Sequence, residues 1–155
     1  METHLEQLRS NCIKVVLFGP ESTGKTTLAQ ALAKHYNTSW VPEYVRTYLE
    51  EKWHKSAEIC APEDIFPITV GQIKLENEAV KKAHKFLFCD TTPLSTQVYS
   101  EAYFDGWCDQ RVIQTSKKNR YDLYFLTDID VPWEEDLLRD RPNQREEMFE
   151  KFKTA

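Results

Sequence analysis

The stretch Ile13-Lys14-Val15-Val16-Leu17-Phe18-Gly19-Pro20-Glu21-Ser22-Thr23-Gly24-Lys25-Thr26 decides the fold class of this chain. Its first six residues form a short apolar, β-branched run that stops at a glycine, which reads as a buried strand. The next eight fit the spacing G-x-x-x-x-G-K-[S/T] at every fixed position. Lys25 to Tyr36 follows, with Leu28, Ala31, Leu32 and His35 at 3.6-residue spacing, and predicts an amphipathic helix closed by Asn37. Strand, glycine turn and helix N-terminus in that order make a phosphate-binding loop, or P-loop. Glycines let backbone N–H groups curl around phosphate oxygens with no Cβ in the way, and the helix end adds partial positive charge. The candidate ATP-binding residues of this loop are Gly19, Glu21, Ser22, Thr23, Gly24, Lys25, Thr26 and Thr27. In this pattern Lys25 reaches the β- and γ-phosphates and the Thr26 hydroxyl ligates Mg²⁺.

Outward from this loop, strands and helices alternate. Ser39 to Val41 reads as a second strand, and Glu43 to Lys52 as a helix with Tyr44, Val45, Tyr48 and Leu49 on one side. His54 to Cys60 lacks a period and reads as a loop. Ala61-Pro62-Glu63-Asp64 opens a longer helix to about Lys85, with Pro62 suited to a first helical position. Phe86 to Cys89 is the next strand. Thr92-Pro93 starts a helix carrying Val98, Tyr99, Ala102 and Tyr103, broken at Asp105-Gly106. Leu123 to Leu126 is a further strand, and the last twelve or so residues read as helical. This order predicts an α/β fold, a three-layer α/β/α sandwich around a mostly parallel, buried sheet. The whole chain, residues 1–155, is expected to form one P-loop domain.

Three further constellations bear on chemistry. Asp90 ends an apolar strand, where a carboxylate can hold Mg²⁺ opposite Thr26; it could equally cap the helix that follows. Pro42-Glu43-Tyr44-Val45-Arg46 follows the second strand, at the sheet end that lines a ligand crevice. Glu43 there could accept a proton from an attacking hydroxyl, with Arg46 binding an anion or steadying the base. The same two residues, three apart, also suit a plain surface ion pair. Finally Asp136, Arg139, Arg141 and Arg145 follow Asp128, Asp130 and Trp133. Arginines beyond a strand suit a short lid closing over phosphates, or simply a solvated charged helix face.

Composition narrows the classes. The 155 residues are 41% hydrophobic and 29% charged, the make-up of a globular domain rather than a disordered one. Lys plus Arg is 20 against 25 for Asp plus Glu, and this acidic balance is a poor match to nucleic-acid binding. No apolar run approaches a membrane span, and Met1 to Asn11 is polar and lacks a signal-peptide core, so a cytoplasmic protein is expected. Cys12, Cys60, Cys89 and Cys108 form no C-x-x-C pair and read as free thiols rather than zinc ligands. Cys12 and Cys89, beside strands, are expected to be buried.

With these residues in place, the sequence resembles the nicotinamide riboside kinase family, and within it the ribosylnicotinamide kinase domain of NadR-type proteins, a group of P-loop ATPase/kinase domains. The resemblance is carried by Gly19 to Thr26, Val41 to Arg46, Gly71-Gln72, Cys89-Asp90-Thr91, Tyr99-Ser100 and Asp130-Val131-Pro132-Trp133 with Asp136 and Arg139. It implies ATP-dependent phosphorylation of the ribose 5′-hydroxyl of nicotinamide riboside, with ATP and a nucleoside-like molecule as partners and Mg²⁺ as cofactor. It implies Lys25, Glu43, Asp90 and Arg139 as catalytic residues. Glu43, Tyr44, Arg46 and Trp133 would contact the riboside, Arg141 the ATP, and Thr26 and Asp90 the metal. Family members add a further strand and helix after the fourth strand, which are expected to be absent here. No His-x-Gly-His signature is present, so adenylyl transfer is not implied. A GTPase is disfavoured because Thr127-Asp128-Ile129-Asp130 stands where Asn-Lys-x-Asp would be needed. An ATPase module, a kinase of another small molecule, and a non-catalytic anion-binding module are the remaining alternatives, the last disfavoured by intact Lys25, Thr26 and Asp90.

Overall fold

Alternation along one central strand builds two cores. In β1 (Ile13–Phe18), Val16 and Phe18 point to one face of the sheet, and Val15 and Leu17 to the other. The computed structural model describes residues 6–20, 24–127 and 145–155, the side chains of residues 145 and 146 excepted. On the first face Val16 and Phe18 join Leu87 and Cys89 of β3 (Phe86–Cys89). That core is covered by Val80 of α3 (Ile65–Val80), Val98 of α4 (Pro93–Tyr103) and Met148 and Phe152 of α6 (Arg145–Thr154). Phe152 sits edge-on to Phe18 at 4.8 Å and to Tyr99 at 5.2 Å, which fastens α6 to both sheet and α4. On the second face Val15, Leu17 and Phe88 pack on Ala29 and Ala33 of α1 (Lys25–His35). The result is the α/β sandwich with helices on both faces.

The 4-stranded sheet has the order β2-β3-β1-β4, with β2 at Trp40–Val41 and β4 at Leu123–Leu126. Every pairing among these strands is parallel, in register Val15↔Phe88 and Val15↔Leu123 around the centre. The helix after β1 lies on one face, and the helix after the adjacent β3 lies on the other. Where successive crossovers diverge like this, the C-terminal ends of the two strands open into a crevice.

Several sequence expectations need correction. The buried stripe of α1 is Lys25, Ala29 and Ala33, not the Leu28, Ala31 and His35 line, and Leu28 is exposed. Close helix–sheet packing selects the small side chains, so the bulkier apolar residues mark a flank. Helix α2 (Tyr44–Ser56) runs through the segment expected as a loop at His54, ending where Ala57 takes a left-handed φ of 54°. Pro62–Asp64 is a 3-10 turn that leads into α3, and α3 ends at Val80 instead of continuing to Lys85. An additional helix, α5 (Gln110–Lys118), is capped by Asp109, whose carboxylate accepts from the Arg111 N–H at 2.9 Å. Strand β4 is not buried: all four of its residues are exposed, as befits a sheet edge. Cys12 is half-buried, whereas Cys89 and Cys108 are buried, and all four thiols are free.

Candidate active site

The crevice between β1 and β3 is shaped first by backbone conformation. Gly19 has φ +154°, and a Cβ there would lie 2.3 Å from Thr127 Oγ1, so only glycine lets the chain turn against the end of β4. Gly24 takes φ 81° as the residue before α1, a left-handed position without a side-chain cap. The first turn of α1 thus has no cap from Gly24, and uncapped N–H groups at a helix start suit an anion. Lys25 folds back over this turn: it is buried, and its Nζ donates to the Pro20 carbonyl at 2.9 Å. Glu21, Ser22 and Thr23 lie outside the described residues; Thr27 is on α1 and exposed.

Across the crevice stands Asp90, directly after β3 and 1% exposed. The Thr26 hydroxyl donates to its Oδ2 at 2.5 Å, while Oδ1 is buried without a hydrogen-bond partner. Burial, and then the negative charge of Glu43, push the Asp90 carboxyl up to about 6; Lys25, the Thr26 hydrogen bond and Arg46 pull the other way. An orphaned carboxylate oxygen beside a hydroxyl is the donor set a hard divalent cation takes, so the residues present fit Mg²⁺. No cluster of three or more His, Cys, Asp or Glu that could hold a metal by itself occurs among the described residues. A cation here would share its shell with water or phosphate oxygens.

The third wall comes from the β2–α2 junction. Glu43 occupies the cap position of α2 but does not cap it; the Thr91 hydroxyl, next to Asp90, donates to its Oε2 at 3.2 Å. Arg46, one turn on, lies 3.9 Å from Glu50. Beyond Glu43 and Arg46 opens a pocket of about 90 Å³, walled by Leu49, Ile68, Tyr99 and Tyr103, with Thr91 and Thr96 as hydroxyls. Tyr44 is turned from it, its ring against Gly71 of α3. The structure thus gathers Lys25, Thr26, Asp90, Glu43 and Arg46 around one crevice, with Tyr44 behind it. Trp133, Arg139 and Arg141 lie outside the described residues.

Sequence reasoning missed the pocket walls and Thr91's contact to Glu43. The walls are i,i+3 or i,i+4 pairs on three helices, Val45/Leu49, Ile65/Ile68 and Tyr99/Tyr103. Each pair is visible in the sequence, but only packing reveals that they converge.

Gly19 and Gly24 in G-x-x-x-x-G-K-[S/T] spacing between a central parallel strand and its helix, faced by a strand-end carboxylate, define a P-loop nucleotide-binding domain. The chain belongs to the AAA domain family AAA_28, which it matches over residues 14–155. It is 33% identical over 125 residues to the trifunctional NAD biosynthesis/regulator protein NadR of Salmonella typhimurium, covering 81% of this chain. It spans 30% of that relative's length. Its fold superposes on NadR solved in complex with NR, with a TM-score of 0.67 at 24% identity, over 91% of this chain and 42% of that one. With NadR in complex with NAD and AMP-PNP the TM-score is 0.71 at 24% identity, over 93% and 40%. No helix among the described residues is long and apolar enough to cross a membrane.

Proposed function

We propose that this chain is a cytoplasmic ATP-dependent kinase that transfers the γ-phosphoryl group to the 5′-hydroxyl of nicotinamide riboside, giving nicotinamide mononucleotide and ADP. The observation that carries the reading is the juxtaposition of Lys25, Thr26 and Asp90 with the Glu43 carboxylate at the mouth of a partly apolar pocket. A nucleotide on the P-loop would present its terminal phosphate between these groups, and a nucleoside in the pocket would present its hydroxyl beside Glu43. The similarity to NadR, a NAD biosynthesis protein solved with NR and with AMP-PNP, supports this acceptor among nucleosides.

In this reading Lys25 leaves the Pro20 carbonyl for the β- and γ-phosphates. Glu43 takes the proton of the 5′-hydroxyl as its oxygen bonds to the γ-phosphorus and the bond to the β-phosphate bridging oxygen breaks. Thr26 and Asp90 are the residues that would hold Mg²⁺, which when bound neutralises charge on the β- and γ-oxygens. Arg46 offsets the paired charges of Glu43 and Asp90. The reading extends to Arg139 and Arg141 as cationic groups of a lid and to Trp133 as a riboside contact. Fast ADP release in a coupled assay with nicotinamide riboside, and slow release with adenosine, uridine and cytidine, is the expected result. Equal ADP release without any nucleoside would identify an ATPase module instead, and faster turnover on another nucleoside would reassign the acceptor.

A further inference from the structure

Glu43 sits in the position that normally caps a helix, yet its carboxylate is spent elsewhere. The first-turn N–H groups of α2 have no partner within the helix, and the first of them is met by a different element. Gln72, in the middle of α3 and 1% exposed, receives the Tyr44 N–H on Oε1 at 2.8 Å. Its Nε2 donates to the Pro42 carbonyl at 2.9 Å. One side-chain amide thus holds the backbone on both sides of Glu43. A primary amide suits this task because it offers a donor and an acceptor side by side. The neighbouring residue acts with it. A Cβ at Gly71 would lie 2.1 Å from Tyr44 Cε2, so glycine alone lets the Tyr44 ring lie against α3. A glycine inside a helix costs about 1 kcal/mol relative to alanine, so close approach is what this position gains in return.

We propose that Gln72, seconded by Gly71, is a positioning residue: it clamps the backbone on both sides of Glu43 and so holds that carboxylate toward the reacting hydroxyl. This rests on the kinase reading for its catalytic consequence, though not for the clamp itself. Removing the clamp leaves Tyr44 N–H and Pro42 C=O unpaired, and the Glu43 backbone is then tethered only by its neighbours. Displacement of a reacting group by about 1 Å can cost about 10²-fold in rate. Nucleotide binding on the P-loop is carried by other residues and is expected to persist.

The test compares the full chain with Gln72→Met and Gln72→Glu. Gln72→Met keeps the length and loses both hydrogen bonds. It is expected to lower kcat with nicotinamide riboside about 10²-fold while KM for ATP moves less than about threefold. Amide exchange at Tyr44 is expected to accelerate at least about tenfold. In Gln72→Glu the introduced carboxylate can still accept from Tyr44 but repels the Pro42 carbonyl until it is protonated. Its kcat relative to the unsubstituted chain should therefore rise as pH falls from 8 to 6. In a Glu43→Gln background, Gln72→Met should add less than about threefold, since both act through one group. Unaltered kcat per folded molecule in Gln72→Met, full additivity with Glu43→Gln, or unchanged Tyr44 exchange would each overturn the proposal. If the unsubstituted chain fails to phosphorylate nicotinamide riboside, the kinase reading falls, and Tyr44 exchange still decides the clamp.

Discussion

Two buried carboxylates stand at opposite ends of the sheet, each 1% exposed, and they are treated in opposite ways. Glu76 of α3 lies beneath the N-terminal ends of the strands. It accepts from Lys14 Nζ at 2.8 Å, Gln7 Nε2 at 2.7 Å and Tyr121 OH at 2.5 Å. Lys14 also lies 5.9 Å from the Tyr121 ring centroid, and its own backbone N–H donates to Asp122 Oδ2 at 2.7 Å. Asp90, past the C-terminal end of β3, has one hydroxyl partner and one orphaned oxygen. Desolvation is costly for both. At Glu76 the fold itself supplies a cation and hydrogen-bond donors. At Asp90 it supplies one hydroxyl and the opposing charges of Lys25 and Arg46, which do not offset burial and Glu43, and the carboxyl is pushed up to about 6. A saturated buried charge holds elements together; an unsaturated one keeps capacity for a ligand.

The contrast can be broken most sharply by removing one carboxylate from each end. Glu76→Ala strands the Lys14 ammonium in the core and should lower unfolding free energy by about 3–5 kcal/mol in a urea titration. Replacing both partners, Lys14→Met with Glu76→Leu, should recover most of that loss. At the other end Glu43→Gln should leave stability nearly unchanged and lower kcat by about 10²–10⁴-fold, or about 3–5 kcal/mol, with modest change in KM. If Glu43 and Arg46 were only a surface pair, the rate would move less than about twofold. A stability loss at Glu43 as large as that at Glu76 would erase the distinction between the two ends.

Asp90 itself sharpens the comparison through pH. Its folded carboxyl titrates near 6, above the ordinary value of 3.8, so between these values the folded state binds more protons than the unfolded one. Stability of the ligand-free protein therefore falls as pH rises from about 4 to about 6, and the full cost, on the order of 2–3 kcal/mol, is present at pH 7.5. Asp90→Asn should remove that cost, raising Tm at pH 7.5 and converging with the unsubstituted protein below pH 4. The same substitution should abolish the extra thermal stabilisation that Mg²⁺ gives over ADP alone, and chelation should do so in the unsubstituted chain. An Asp90→Asn protein less stable at pH 7.5 would mean the carboxylate is structurally paired after all.

Legibility in the sequence follows the same physical divide. The P-loop was readable because its spacing, the strand before it and the helix after it all constrain one another locally. Asp90 was readable as a strand-end carboxylate, though its rivalry with a helix cap could be weighed only with Thr26 in place across the crevice. The core stripe of α1 was misread because burial there favours Ala29 and Ala33 over larger apolar side chains, a preference set by the distance to the sheet. The Gln72 clamp was opaque for a different reason. Its two bonds span 28 and 30 residues, and a glutamine within a helix has no local pattern that announces them.

The smallest expected effect concerns a helix that the sequence expectations do not include. Helix α5 buries Val112 and Thr115 on one side of an otherwise strongly polar segment, and its start is marked by one residue. Asp109 accepts from the Arg111 N–H at 2.9 Å and pairs with the Arg111 guanidinium at 2.7 Å. The Arg111 guanidinium also lies 3.6 Å over the Phe66 ring of α3. The Asp109 carboxyl is held below its ordinary value, chiefly by the Arg111 side chain, opposed by partial burial and aided by the Arg111 N–H. A lowered carboxyl contributes stability that is present above the unfolded value and is lost as pH falls through the folded one. Asp109→Ala should cost about 1 kcal/mol at pH 7, typical of a lost N-cap, with the ion pair adding little because Arg111 is exposed. Asp109→Asn keeps the cap acceptor and should recover most of this, separating the cap from the charge. The difference between the substituted and unsubstituted proteins should shrink below pH 4, in the direction opposite to Asp90→Asn: acid removes a benefit at Asp109 and a penalty at Asp90. A loss of several kcal/mol at Asp109 would show instead that α5 anchors α3 and α4 through this one residue.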